Sequence, residues 1–189
     1  MKFYNKKFDK DYNKQLKKHI DKTKPVVFLM GLDEINFSTF ENAFVVYLGH
    51  HGDVSASIAD IILPTPAYTE KSSTYMNIEG RVIQTTKCHN PLGEAKEEWK
   101  IFRVLSDLFE KNLNFNNLGE LRNELTSTYG QFALLNEVNS IGEITFAKKS
   151  KIENVGIKYN IENFYMNDSI SRSSETMALC TKDILNKAA

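Results

Sequence analysis

Residues 44–53 read Phe-Val-Val-Tyr-Leu-Gly-His-His-Gly-Asp, and this stretch decides the fold. It opens with a continuous apolar run, and residues 26–31 (Val-Val-Phe-Leu-Met-Gly) form another. Continuous apolar runs are typical of parallel strands that are covered on both faces, whereas half-exposed strands alternate. A third short run lies at residues 61–63. Residues 25–66 are therefore predicted to form the last βαβ portion of a doubly wound, mostly parallel α/β sheet.

The remaining elements are predicted from periodicity and from turn residues. The Lys-rich segment 5–22 is read as a helix or a tail, because Phe8, Tyr12, Leu16 and Ile20 recur every four positions. Residues 94–111 give the most regular helical pattern, since aromatic and leucine residues follow the three-and-four spacing. Further predicted elements are a short crossover helix near 38–43, a β-hairpin of 73–77 and 81–85 that turns at Glu79-Gly80, helices at 118–126 and 129–136, a strand at 141–146, and C-terminal helix 169–187.

The predicted sheet is incomplete within this sequence. Central parallel strands need neighbouring strands for their backbone groups and helices on both faces. The segment before Pro25 is too short to hold more strands, and the part after residue 90 reads mainly as helix and loop. We therefore expect another chain to complete the sheet. We divide this chain into a Lys-rich N-terminal extension (1–24), an α/β portion (25–110) and a mainly helical C-terminal region (111–189).

Composition excludes several classes of function. The 24 Lys and Arg residues balance the 24 Asp and Glu residues, so no net field attracts nucleic acid or anionic lipid. No apolar run approaches the roughly 20 residues of a membrane helix, so direct membrane insertion is not expected. The N-terminus has neither the apolar core of a secretory signal nor the Arg-rich character of a mitochondrial presequence. Cys88 and Cys180 are expected to be reduced thiols, and two cysteines are too few for an iron–sulfur cluster.

Two short clusters resemble reactive or metal-binding sites. His50, His51 and Asp53 are the residue types of a metal site, but adjacent histidines point apart on a strand and a site needs a further well-placed donor. Asp53 is better explained as the N-cap of the helix-like run that follows it. Cys88-His89 are residue types of a nucleophile and base, yet adjacent residues rarely form the required mutual hydrogen bond. Structural roles are therefore favoured for both clusters.

Nucleotide-binding loops are not predicted. Gly49 and Gly52 do not complete a G-x-G-x-x-G fingerprint, and Lys71-Ser72-Ser73 resembles a phosphate-binding loop in composition only.

A polar group surrounds the predicted hairpin, and it allows two interpretations. Its members are Glu70, Lys71, Asn77, Glu79 and Arg81. Ligands bind at the carboxyl edge of α/β sheets, and this position favours a site. Alternatively, Glu79-Gly80 is simply the turn and Arg81 pairs with Glu70 or Glu79. The residues alone favour the second, structural interpretation.

A series of motifs resembles the molybdopterin oxidoreductase family. In that family a strand that ends in Leu-Pro leads to Glu-Lys and then to Asn-x-Glu-Gly-Arg. The corresponding residues here are Ile58-Ala59-Asp60-Ile61-Ile62-Leu63-Pro64, Glu70-Lys71, Thr74-Tyr75, Asn77 and Glu79-Gly80-Arg81. Further motifs narrow the resemblance to the C-terminal part of the large iron–sulfur subunits of respiratory complex I. They are Tyr47-Leu48-Gly49-His50-His51-Gly52-Asp53, Glu98-Trp99-Lys100-Ile101, Phe164-Tyr165-Met166 and Asp168-Ser169-Ile170-Ser171-Arg172-Ser173.

The resemblance implies a scaffold in the NADH-oxidising peripheral arm of complex I, with no catalytic residue, cofactor or metal of its own. Iron–sulfur clusters and FMN are then expected in partner chains. Those partners would be the cluster-bearing remainder of the large subunit and other peripheral-arm subunits. The expected location is the matrix side of the mitochondrial inner membrane, or the cytoplasmic face of a bacterial one. Because the sequence starts at Met1 with its own extension, we also expect a split subunit.

Two alternatives stay open. A fragment of a molybdenum oxidoreductase would place Asn77, Glu79 and Arg81 near a pterin. An independent small α/β binding module would instead unfold cooperatively in isolation.

Overall fold

The computed structural model describes residues 10–32, 37–137, 156 and 163–185. They belong to two compact units, Met1–Asn139 and Ser140–Ala189. The strands of the first unit are β1 (Val26–Met30), β2 (Phe44–Gly49), β3 (Ile61–Pro64), β4 (Thr74–Met76) and β5 (Val82–Gln84). Its helices are α1 (Lys10–Thr23), α2 (Val54–Ser57), α3 (Glu98–Leu108) and α4 (Leu118–Thr128). The second unit contains α5 (Ser169–Arg172) and α6 (Glu175–Cys180), which leads into a π-helical turn, Thr181–Leu185.

The predicted α/β architecture is confirmed. β1, β2 and β3 form a parallel sheet in that order, with Val26 opposite Phe44 and Val46 opposite Ile61. β4 and β5 form the predicted antiparallel hairpin. No helix among the described residues has the length and apolar character needed to cross a membrane.

One face of the sheet is covered by the connections between its strands, and we call it the packed face. Leu29, Val45 and Tyr47 are almost fully buried there. The residues that pack against them are Val27, Phe40, Ala43, Ala56, Ile58 and Ala59. The crossover before β2 contains a 3-10 turn at Phe37–Thr39 in place of the expected helix near 38–43. A turn suffices because Phe40 and Ala43 already cover this face, so that prediction was wrong in element type.

The opposite face is covered in part, and we call it the open face. Phe102 of α3 packs edge-to-face on Phe28, with ring centroids 5.4 Å apart. Val46 and Leu48 of the central strand are buried. Apolar side chains at the margins are exposed, namely Val26, Phe28, Met30, Phe44 and Ile61.

Helix α1 confirms the helical reading of the Lys-rich segment and is fastened to the first crossover. Lys17 Nζ donates to Ser38 O at 2.6 Å, and Asn42 Nδ2 donates to Asp21 Oδ1 at 2.8 Å. Ile20 of the predicted apolar stripe is 1% exposed, so it is part of the core. Phe8 lies outside the described residues.

Side-chain hydrogen bonds stabilise the start of α2 at Asp53 and the hairpin turn at Glu79-Gly80. The sequence predicts both features. Asp53 is the N-cap of α2, and its carboxylate accepts from Val54 N at 2.7 Å. At the hairpin tip, Asn77 Oδ1 accepts from Glu79 N and Arg81 N at 3.0 and 2.9 Å. Gly80 there has φ +85°, a conformation that glycine adopts without a steric penalty.

Helix α3 is shorter at both ends than the predicted 94–111. Before it, Lys96 N donates to Pro64 O at 3.1 Å, so these residues attach to the end of β3 rather than to the helix. After it, Glu110 has φ +54°, and Lys111 N donates to Ser106 O at 2.8 Å. This is a Schellman ending with a non-glycine residue in the left-handed position. Leu108, one of the leucines that follow the three-and-four spacing of this helix, is 74% exposed.

Two of the later helix predictions need correction. Helix α4 is found, but 129–136 holds only a 3-10 turn, Gly130–Ala133, because Leu135 forms an isolated parallel bridge with Val82. The predicted single helix 169–187 is two short helices, because Ser174 caps the second by accepting from Met177 N. The strand predicted at 141–146 lies outside the described residues. The domain boundaries at 24 and 110 stay a prediction.

Candidate functional site

A cleft of about 590 Å³ lies at the carboxyl ends of the three parallel strands. Its floor consists of residues that end or follow β1, β2 and β3: Met30, Gly31, Gly49, His50 and Thr65. Its walls come from residues 71–75, from α3 and from α4. This is the edge at which open α/β sheets bind ligands, so the first unit has a candidate site where the fold favours one.

Apolar side chains make most of the wall. Trp99 and Phe115 meet edge-to-face with ring centroids 6.4 Å apart, and Phe115 is buried. Helix α4 adds Leu118, Leu121 and Leu125. The side chains that this helix turns toward the sheet therefore form one side of the cleft, and the hairpin forms another.

An ion pair crosses the polar part of the cleft. Lys71 Nζ lies 2.5 Å from Glu98 Oε1, and the two side chains are 18% and 20% exposed. Lys71 follows β3 and Glu98 is the first residue of α3, so the pair fastens the strand-end loop to the helix. The sequence motifs contain both residues but do not pair them, because 27 positions separate them.

Arg122 is a second cation of the cleft that sequence reasoning missed. Its Nε donates to Thr74 Oγ1 at 3.3 Å and its Nη2 to Ser73 O at 3.5 Å. These bonds hold α4 against the start of β4. No local motif marks Arg122, and only its helical spacing from Leu118 and Leu125 places it on the face that meets the hairpin.

His50 lines the cleft and contacts the neighbouring His51. His50 Nδ1 and His51 Nδ1 are 2.6 Å apart, so one ring donates to the other. Burial, followed by the charges of His51 and Lys71, lowers the pKa of His50. Gly49 lets the ring of Tyr47 lie across the backbone, and Tyr47 Oη donates to His51 O at 3.3 Å.

The suggested metal trio is not brought together in the described structure. The Asp53 carboxylate caps α2, away from a shared position with the imidazoles. Within residues 10–32, 37–137 and 163–185, no three His, Cys, Asp or Glu side chains are placed to share a metal ion.

The polar group around the hairpin is dispersed, and Lys71 alone of its members lines the cleft. Glu70 Oε2 accepts from Ala67 N at 2.9 Å and so closes the loop after β3. Asn77 and Glu79 belong to the hairpin turn. The guanidinium of Arg81 donates to Asn136 O, so the pairing expected with Glu70 or Glu79 is not what this side chain does.

Neither Cys88 nor His89 lines the cleft. Cys88 is exposed and Cys180 is half-buried in the second unit, both with free thiols. His89 Nδ1 is within hydrogen-bonding distance of Asn90 O, at 3.0 Å, and lies 3.9 Å from Glu70 Oε1. His89 is therefore engaged with groups other than the neighbouring thiol.

Comparison with known proteins identifies the family. The model for "Molybdopterin oxidoreductase" matches residues 4–108. The chain belongs to the molybdopterin oxidoreductase family. Residues 136–180 match a second model, for the C-terminal region of the G subunit of NADH-ubiquinone oxidoreductase. The first match includes α1, so the Lys-rich segment falls within the region that this family shares.

Several relatives of the chain are named as subunits of NADH-ubiquinone or NADH-quinone oxidoreductase, which is complex I. The chain is 38% identical to the NADH-ubiquinone oxidoreductase 75 kDa subunit of Reclinomonas americana, over 92% of this chain and 25% of the relative. It is 40% identical to the G subunit of NADH-quinone oxidoreductase from Rickettsia bellii, over 83% of this chain and 23% of that protein. It is 44% identical to the mitochondrial NADH-ubiquinone oxidoreductase 78 kDa subunit of Candida albicans, over 82% and 23%. The chain thus spans about a quarter of the length of these relatives.

The cleft does not fit the pterin cofactor that the family name implies. A molybdopterin carries phosphate, and phosphate sites in proteins supply Arg, Lys or backbone N–H donors. Here Lys71 is neutralised by Glu98, and Arg122 is bound to Ser73 and Thr74. An anionic group that bound Lys71 would have to displace Glu98 from it. The polar groups of the cleft are therefore not arranged to hold a molybdopterin.

Proposed function

We propose that the chain is a structural part of the NADH-oxidising peripheral arm of respiratory complex I, without a catalytic site of its own. It completes the large iron–sulfur subunit and supports electron transfer from NADH to ubiquinone by holding that subunit in shape. The names of the relatives and the match of residues 136–180 to the NADH-ubiquinone oxidoreductase model support this proposal.

The main support for the proposal is that the open face of the sheet is only partly covered. Parallel sheets are normally covered on both faces. Here Val26, Met30 and Ile61 of the open face are 58%, 53% and 44% exposed. Apolar side chains at such positions favour burial, by about 25 cal/mol for each Å² removed from water. A surface of this kind supports a role in which other polypeptide covers the sheet.

The remaining parts of the proposal concern cofactors, partners and location. Iron–sulfur clusters and FMN belong to partner chains, and the remainder of the large subunit is the direct partner, with other peripheral-arm subunits around it. The location is the matrix side of the mitochondrial inner membrane, or the cytoplasmic face of the membrane in a bacterium. The split of the subunit into two polypeptides stays a prediction.

Affinity purification from native membranes tests the proposal. A tag on this chain should recover the cluster-bearing remainder of the large subunit together with NADH dehydrogenase activity. Removal of the chain should decrease the amount of assembled peripheral arm. A fully assembled arm of unchanged amount in the absence of the chain would contradict the proposal. The mass of the tagged polypeptide also decides the split, because a continuous subunit would be about four times longer.

Metal analysis of the same preparation separates this function from that of a molybdenum oxidoreductase fragment. Iron without molybdenum is the expected result. One molybdenum per chain would overturn the structural role and restore the enzymatic one.

A further inference from the structure

The outer edge of β1 has backbone groups that face away from the sheet. Phe44 N donates to Pro25 O at 3.0 Å, and Gly31 N donates to Leu48 O at 2.7 Å. In a parallel strand the backbone groups of alternate residues point to opposite sides. The N–H and C=O groups of Val26, Phe28 and Met30 therefore point away from β2, and among the described residues β1 pairs with β2 only.

The connections between the strands show how the sheet advances. The connection from β1 to β2 passes over the packed face through Phe40 and Ala43. The connection from β2 to β3 passes over the same face through α2 and Ile58. Crossovers between parallel strands are right-handed in about 98% of cases, so connections on one face all advance in the same direction across the sheet. The strand order β1-β2-β3 agrees with this rule.

Helix α1 extends the same argument to a strand before β1. The helix leads into β1 and is bound to the first crossover through Lys17 and Asn42. It therefore belongs to the layer that covers the packed face. A right-handed crossover that uses α1 must come from a strand on the far side of β1 from β2.

We propose that the outer edge of β1 is paired, in parallel, by a strand from the remainder of the large iron–sulfur subunit. The identity of the partner rests on the proposed function. The chain spans only 25% and 23% of the length of two relatives, so the rest of such a subunit is available to supply the strand. The position and direction of the strand rest on the crossover rule.

Hydrogen exchange in the purified arm tests the pairing directly. The amides of Phe28 and Met30, which point away from β2, should exchange slowly because the neighbouring strand accepts their hydrogen bonds. Their rates should match those of the amides of β2, which bond to β1 and β3. Exchange as fast as that of Ile78, which is 95% exposed at the hairpin tip, would overturn the inference. If the tagged chain does not recover the remainder of the subunit at all, the proposed function itself fails.

A matched pair of variants isolates the backbone group. Phe28→Pro and Phe28→Ala both remove the ring that packs on Phe102, but only the first removes the outward N–H. Proline is tolerated where the N–H points away from the sheet, so the chain's own fold is kept. Phe28→Pro should lower the amount of assembled arm at least about tenfold relative to Phe28→Ala, because the neighbouring strand loses a donor and meets the proline ring. Equal amounts of assembled arm would overturn the inference.

Discussion

The half-buried ion pair between Lys71 and Glu98 gives the sharpest test of the site. Lys71→Met removes the cation and leaves the Glu98 carboxylate without its partner in a position that is only 20% exposed. We expect the contact between the loop after β3 and the start of α3 to weaken. The double variant Lys71→Met/Glu98→Gln should recover part of this loss, since it carries no uncompensated buried charge.

The magnitude follows from distance and exposure. At 2.5 Å, with an effective dielectric constant of about 20, two unit charges attract by about 7 kcal/mol. Removing both ions from water opposes most of this attraction. The net coupling expected for a hydrogen bond between charged groups of this kind is about 1.5–3 kcal/mol.

Native-state hydrogen exchange of the assembled protein measures this coupling through the opening free energy of residues 67–76 and α3. A double-mutant cycle over Lys71 and Glu98 isolates the pair from other effects. The exposed pair of Lys96 and Glu94 is the control: its atoms are 3.7 Å apart, its side chains are 61% and 91% exposed, and its coupling should stay below about 0.5 kcal/mol. A Lys71–Glu98 coupling as small as that control would refute the reasoning, because it would mean that solvent screens the pair.

Three further predictions concern stability, each measured by thermal unfolding of the purified protein. Leu48→Ala should cost about 2–5 kcal/mol, since Leu48 is fully buried, whereas Leu108→Ala at an exposed position should stay within about 0.5 kcal/mol; equal losses would contradict the assigned core. Gly49→Ala should cost about 1–3 kcal/mol because its Cβ would overlap the Tyr47 ring. Gly52→Ala should be tolerated, because a Cβ added at Gly52 meets no described atom within 4 Å other than those of its chain neighbours. The lowered pKa of His50 means that the unfolded chain binds more protons than the folded one just below about pH 6.5. The free energy of unfolding should therefore decrease as pH falls through that region. His50→Gln should make this pH dependence weaker. If the variant shows the same change of stability with pH, His50 does not cause it.

The sheet was predictable because its signal is local. An uninterrupted apolar run marks a strand that is buried on both sides, and Val45, Val46, Tyr47 and Leu48 are indeed buried. The turn at Gly80 and the cap at Asp53 were predictable for the same reason, since each depends on residues within four positions. These features needed no knowledge of the rest of the chain.

The helix ends were less predictable because tertiary contacts decide them. Glu94 and its neighbours have helical periodicity, but Lys96 bonds to the end of β3 instead. Leu135 is drawn into a bridge with Val82, which ends the 3-10 turn. Such competition between a local preference and a distant backbone partner is not visible in periodicity alone.

The cleft was hard to predict because contacts between residues far apart in the sequence form it. The motif around Glu70 and Lys71 identified the correct loop, but not the partner of Lys71 in α3. No local motif marked Arg122, and only its helical spacing from Leu118 and Leu125 indicated the face of α4 that docks on the hairpin. The hairpin residues Asn77, Glu79 and Arg81 were candidates because their side chains are polar. In the structure, however, Asn77 and Glu79 form the turn and Arg81 donates to the backbone of Asn136.

The register of the parallel sheet has a consequence for the order of folding. Val26 pairs with Phe44 and Val46 with Ile61, so each pairing closes a short loop of chain. These loops are shorter than the one that closes when Phe102 of α3 packs on Phe28, so their closure costs less entropy. We expect these three strands to associate early, while the chain emerges from the ribosome, and α3 and α4 to dock on them afterwards. Pulse-labelling during refolding would reveal the sequence of events, and protection of α4 before β2 would reverse it.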